Sequence, residues 1–167
     1  MTNNMDNKTK RSVLFVCHGN ICRSPMAEFI LRRLAKEAGI ADEVEVASAA
    51  TSNEEIGNPV YPLAKRTLAI HGIGCGSKSA QRITQSLYDW ADYVVVMDGR
   101  NLSAVSLAVN VRSGDKLCRL LDFLPADDPK HGMDIADPWY TRDFETAYSD
   151  IHLGCKALMA RLVAELA

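Results

Sequence analysis

What this sequence lacks narrows its function before any motif is read. No apolar run approaches the roughly 20 residues that cross a bilayer, and no block of Lys or Arg offers a footprint for nucleic acid or anionic lipid. The formal net charge is only -2, so neither a nucleic acid nor a membrane is an expected partner. Residues 1–11 are polar and lack the apolar centre of a secretion signal, and they read as a flexible tail on a cytoplasmic protein. The cysteines, Cys17, Cys22, Cys75, Cys118 and Cys155, are odd in number and have no metal-ligand spacing, which excludes a disulfide framework and a zinc site. No cofactor or metal is expected. Internal repeats, low-complexity segments and linkers are also missing. What remains is a chain of 167 residues, 47% hydrophobic and 24% charged, sized for one soluble domain over residues 12–167. A partner must be sought in a local site.

Strands alternate with helices along the chain. Residues 12–16 form a short β-branched apolar run without alternation, as in a strand buried on both faces. Ala27, Ile30, Leu31, Leu34 and Ala38 then repeat at helical spacing, with Pro25 in the first turn and Gly39 at the stop. A second strand is expected at 43–47, ending in the small polar loop Ser48-Ala49-Ala50-Thr51-Ser52. A helix opens at Asn58-Pro59, carries Val60, Leu63, Ala64, Leu68 and His71 on one face, and stops at Gly72. Residues 72–79 read as connector, 92–97 as the clearest strand, 101–109 as helix, 116–121 as a weaker strand and 122–140 as a loop. Residues 143–166 form a long amphipathic helix. Such alternation specifies an α/β fold with a parallel sheet covered on both faces, which binds ligands beyond the carboxyl ends of its strands. Cys17, Ser48, Asp98 and the 122–140 loop all follow strands and can meet at that edge.

The chemistry concentrates in the loop Cys17-His18-Gly19-Asn20-Ile21-Cys22-Arg23-Ser24. Five residues separate Cys17 from Arg23, a spacing that lets backbone N–H groups, a guanidinium and a thiolate face one small anion. Gly19 and Asn20 tolerate left-handed backbone. A phosphate monoester is already anionic, so cleaving it takes a strong nucleophile, compensation of the phosphoryl oxygens and a proton for the leaving group. Loop amides, a helix start and Arg23 favour thiolate at Cys17, and Arg23 can hold two phosphoryl oxygens as a planar fork. Taken alone, Cys17 would read as a buried residue at a strand end; the joint motif makes it a nucleophile.

The run from Val13 through Cys17, Arg23, Ser24 and Pro25 to Glu28 resembles the signature of the low-molecular-weight protein tyrosine phosphatases. The likeness continues through Ser48-Ala49-Ala50-Thr51, His71-Gly72-Ile73, Met97-Asp98 with Asn101, Leu120-Leu121-Asp122-Phe123 and Asp137-Pro138-Trp139-Tyr140. It implies a single domain built on a four-stranded parallel sheet of order 2-1-3-4. It also implies hydrolysis of phosphotyrosine in a protein substrate through a phosphocysteine intermediate, with inorganic phosphate as product. Carried over by position, Cys17 is the nucleophile, Arg23 the phosphate clamp and Asp137 the general acid; otherwise Asp137 is a turn aspartate before Pro138. Ser24 would donate to the Cys17 thiolate, its other reading being a helix N-cap. Asn20 would keep the loop in shape, bonded to Ser48 and His71. Cys22 would form a reversible disulfide with Cys17 under peroxide, or is a packing residue. Ile21, Trp139 and Tyr140 would flank an aromatic ring.

Two departures from the family pattern bear on the substrate. Glu54 stands where many members carry tryptophan, and Tyr61-Pro62-Leu63 stands for an Asp-Pro-Arg, so Tyr61 is the expected replacement for half of the aromatic wall. Glu54 and Glu55, where they face the mouth, would disfavour acidic peptide flanks; otherwise they are a solvated loop. Protein arginine phosphatases carry threonine in place of Ile21. Thiol-dependent arsenate reductases of this scaffold need two redox cysteines near position 80, where only Cys75 lies close. A phosphocysteine carrier would not need Arg23 and Asp137 together, and a phosphopeptide-binding module would not need the complete set.

Overall fold

The computed structural model describes residues 9–111 and 116–167. Strands β1 (Arg11–Cys17), β2 (Val44–Ala50), β3 (Tyr93–Val96) and β4 (Leu117–Arg119) form one sheet. All pairings are parallel and the order is β2-β1-β3-β4. β1 is therefore central. Its side chains alternate between two cores, as a fully buried strand requires. Val13 and Phe15 pack with Ile30 and Leu31 of α1 (Arg23–Glu37), Leu68 of α2 (Pro62–Ile70) and Ile151 of the long C-terminal helix. Leu14 and Val16 face Tyr88 of α3 (Gln85–Trp90) and Val105 of α4 (Gly99–Ala108). The chain then passes through a 3₁₀ turn (Leu120–Phe123) and the short α5 (Pro138–Thr141) into α6 (Phe144–Leu166). Among the described residues no helix is long and apolar enough to cross a membrane.

The α/β class, parallel pairing and strand order match the expectation, while several boundaries differ for local reasons. β1 begins at Arg11, which pairs with Val44 and is 2% exposed; residues 1–8 of the expected tail lie outside the described residues. β2 continues through Ser48-Ala49-Ala50, paired with Phe15, Val16 and Cys17, because these small residues let the backbones run side by side beneath the loop. The second helix opens at Pro62, not Pro59. Tyr61 precedes it as N-cap, and Pro59 instead bridges to Ser79. The sequence reading missed α3, whose start is marked by Thr84: its hydroxyl accepts from Leu87 N at 3.1 Å. β4 shrinks to three residues because the chain tightens at once into the 3₁₀ turn.

Candidate active site

At the carboxyl end of β1 the chain turns back on itself between Cys17 and Arg23, the first residue of α1. Asn20 makes the turn in left-handed backbone, φ 58°, a conformation asparagine tolerates better than most residues. The loop is pinned from outside by its carbonyls. Cys17 O, His18 O and Ile21 O accept from Thr51 N, Ser52 N and Tyr61 N at 3.0, 3.1 and 2.9 Å. Cys22 is the N-cap of α1 and no side chain caps the helix, which leaves the positive end of its dipole facing the loop.

A line of buried hydrogen bonds fixes the proton arrangement behind Cys17. Asn20 Oδ1 accepts from Gln81 N at 3.1 Å, so Nδ2 must be the donor that reaches Ser24 Oγ at 2.8 Å and Ser48 Oγ at 2.9 Å. With its oxygen filled by Asn20, Ser24 is free to give its proton to Cys17 Sγ, 3.0 Å away. Ser48 likewise donates to Glu28 Oε1 at 2.6 Å. Glu28 is 3% exposed and pairs with Arg32 at 2.8 Å and Lys78 at 3.5 Å. Lys78 Nζ also donates to Ser48 O at 2.9 Å. Burial lowers the Lys78 pKa and the Glu28 charge opposes that shift. Ser24 is thus the second residue inside α1 rather than its cap. His71 takes no part in the line: it stacks on Tyr148 and its Nε2 lies 3.1 Å from Glu145.

Arg23 is buried, and its Nη1 donates to Asp98 Oδ2 and Ile135 O, both at 2.7 Å. Its Nη2 lies 3.4 Å from Asp137 Oδ2. Burial works against the charge, but Cys17, Asp137 and Asp98 outweigh it and raise the Arg23 pKa. Asp98 serves two elements at once, since its Oδ1 accepts from Asn101 N at 2.8 Å as the N-cap of α4. Asp137 caps α5 in the same way through Trp139 N at 3.0 Å. The 122–140 loop thereby delivers a carboxylate to the guanidinium opposite Cys17.

Cys17, Ile21, Cys22, Arg23 and Asp137 line one cleft, with His18 and Gly19 at its edge and Trp139 and Tyr140 as aromatic walls. Glu54 and Glu55 face it, and Glu54 Oε2 lies 3.0 Å from His18 Nε2. The aromatic wall expected from Tyr61 is not formed by it. Tyr61 packs edge-on against Trp139, centroids 5.0 Å apart, and accepts from Arg142 Nη2 at 2.9 Å, so it supports Trp139 from behind. Burial, then the neighbouring Cys17 and Asp137, push the Cys22 thiol up to about 12. Among the described residues no group of three or more His, Cys, Asp or Glu side chains could hold a metal ion. Sequence reading missed Glu28, Lys78 and Gln81; Glu28 lay within the signature, whereas Lys78 and Gln81 carried no local signal.

Over residues 12–167 the chain matches the family model described as low molecular weight phosphotyrosine protein phosphatase. It is 36% identical over 154 residues to the low molecular weight protein-tyrosine-phosphatase YfkJ of Bacillus subtilis, covering 92% of this chain and 97% of that protein. It is 38% identical over 160 residues to the human low molecular weight phosphotyrosine protein phosphatase, covering 94% and 99%. The crystal structure of YfkJ superposes with a TM-score of 0.88 over 95% of this chain and 98% of the other, at 35% identity.

Proposed function

The chain belongs to the low molecular weight phosphotyrosine protein phosphatase family and is a protein-tyrosine phosphatase; we propose that it cleaves phosphotyrosine in a protein substrate through a phosphocysteine on Cys17. The observation that carries this reading is the meeting, in one cleft, of a thiol hydrogen-bonded by Ser24, a buried guanidinium and a carboxyl on a separate loop. The Cys17 thiolate attacks phosphorus, and the bond to the phenolic oxygen breaks with its electron pair going to that oxygen. Asp137 supplies the proton that leaves with it as tyrosine. The Asp137 carboxylate then takes a proton from water, whose oxygen attacks the phosphocysteine. Inorganic phosphate departs and the thiolate is regenerated. Arg23 and the loop amides offset the charge of the phosphoryl oxygens in both steps, so the route calls for no metal or cofactor.

Trp139, Tyr140 and Ile21 are suited to an aryl ring, and Ile21 in place of threonine favours phosphotyrosine over phosphoarginine. Cys22, lining the same cleft, would protect Cys17 after peroxide converts it to the sulfenic acid, by forming a disulfide with loss of water. A working thiolate needs a reducing compartment, which supports a cytoplasmic location. The catalytic domain takes in residues 12–167 together with Arg11, which opens β1. Cys17→Ser is expected to abolish hydrolysis of p-nitrophenyl phosphate, and Asp137→Asn to slow it by about 10² or more. A Cys17→Ser variant turning over near the native rate refutes the mechanism, and faster hydrolysis of phosphoarginine than phosphotyrosine refutes the substrate.

A further inference from the structure

A second groove, of about 490 Å³ against about 100 Å³ for the cleft, opens beside the site. The two share His18, Arg23, Asp137 and Tyr140, so a molecule filling both passes directly from one to the other. Ala104, Ile135 and Ala136 give the groove a partly apolar lining of small and medium side chains, which suits an extended main chain. Its carboxylates share their cations: one guanidinium serves two of them, and Arg119 also pairs with Asp122 at 3.6 Å. Asp98 and Asp137 face Arg23 at 2.7 and 3.4 Å, and Asp134 faces Arg119 at 3.2 Å. Arg100, exposed near the start of α4, has no such partner among the described residues. At the cleft the side chain without an ion-pair partner among the described residues has the opposite sign: Glu55 accepts from the neutral amide of Asn58, at 2.6 Å. The charges without an ion-pair partner beside the mouth therefore differ in sign: Arg100 at the groove and Glu55 at the cleft.

We propose that this groove binds the residues of the substrate adjoining phosphotyrosine, and that Arg100 selects an acidic side chain among them. The proposal rests on the phosphatase reading and adds a direction to it. With the phosphate held at Arg23, the peptide leaves the cleft on two sides. An acidic residue is attracted on the side that crosses Arg100 and repelled on the side that crosses Glu55. Acidic flanks are thus discriminated by position and not rejected as a class.

The test compares kcat/KM for three phosphotyrosine peptides: one with neutral flanks, one with aspartates only before the phosphotyrosine and one with aspartates only after it. One acidic peptide is expected to exceed the neutral one by about two- to five-fold, the range of an exposed charge pair, and the other to fall below it. Added salt should shrink both differences. Arg100→Ala should erase the gain and Arg100→Glu should invert it. Equal rates for the three peptides, or a preference that survives in Arg100→Glu, overturn the proposal. p-Nitrophenyl phosphate has no flanks and reports the chemistry alone. Failure of the native protein to hydrolyse it refutes the phosphatase reading, whereas its hydrolysis without any flank preference refutes only the groove.

Discussion

At Asn20 two unrelated demands fall on one residue. Its backbone has positive φ, which glycine would satisfy, but its side chain must accept once and donate twice, which aspartate cannot do. Asn20→Asp keeps the shape and removes both donors, so Ser24 is no longer obliged to turn its proton toward Cys17. A lost charge-assisted bond of about 1.5–3 kcal/mol corresponds to roughly a 10- to 100-fold fall in kcat/KM, measured with p-nitrophenyl phosphate; an unchanged rate would contradict the proton arrangement. The neighbouring thiols differ by environment. Cys22 has a pKa raised to about 12, so it stays protonated until strongly alkaline pH, and burial likewise lifts Cys118 to about 12. Iodoacetamide at pH 7 should therefore label Cys17 first, because thiolate is the reacting form. Peptide mapping that finds Cys22 modified as fast as Cys17 would refute this. Cys17 and Arg23 were legible in the sequence because they share one short loop. Lys78 and Glu28 were not, since 50 positions separate them and only the fold gives them a joint purpose.

Helix starts aim the charged groups. Asp98 offers one oxygen to the first turn of α4 and the other to Arg23, and its two duties can be separated. Asp98→Asn retains an N-capping oxygen but loses the charge, so KM should rise with little change in thermal stability. Asp98→Ala loses both, and should also cost about 1 kcal/mol in denaturant unfolding. Equal stability of the two variants would show that the cap contributes nothing. Behind the loop, Lys78 on the connector lies against Glu28 and Ser48, as Arg23 on α1 lies against Asp98 and Asp137. Lys78→Met should lower kcat/KM, because it takes one of two cations from Glu28 and the donor from Ser48 O, and Lys78→Arg should restore it. Boundaries were less legible than the elements themselves. Two prolines, Pro59 and Pro62, both suit a helix start, and only the bridge of Pro59 to Ser79 decides between them. Ser48-Ala49-Ala50 resembles a loop because its residues are small, yet those residues complete β2.

Across the whole molecule the parallel sheet was readable from alternating strands and helices and its order from the family resemblance, while the closeness of its layers was not legible. A Cβ on Gly154 of α6 would lie 2.5 Å from Leu120 Cγ in the 3₁₀ turn, so Gly154→Ala should destabilise the fold by about 1–3 kcal/mol through overpacking. Urea unfolding measures it, and a stability equal to the native would show that the turn can give way. The same long reach governs how the site comes into being. Arg23 is oriented by Ile135 and Asp137, 112 and 114 positions further along the chain, whereas Cys17, Asn20 and Ser24 meet within a few residues. Closing so long a loop is slower than forming local contacts. A growing or refolding chain therefore forms the thiol pocket first and the complete catalyst last, so the first appearance of turnover dates the docking of its C-terminal third.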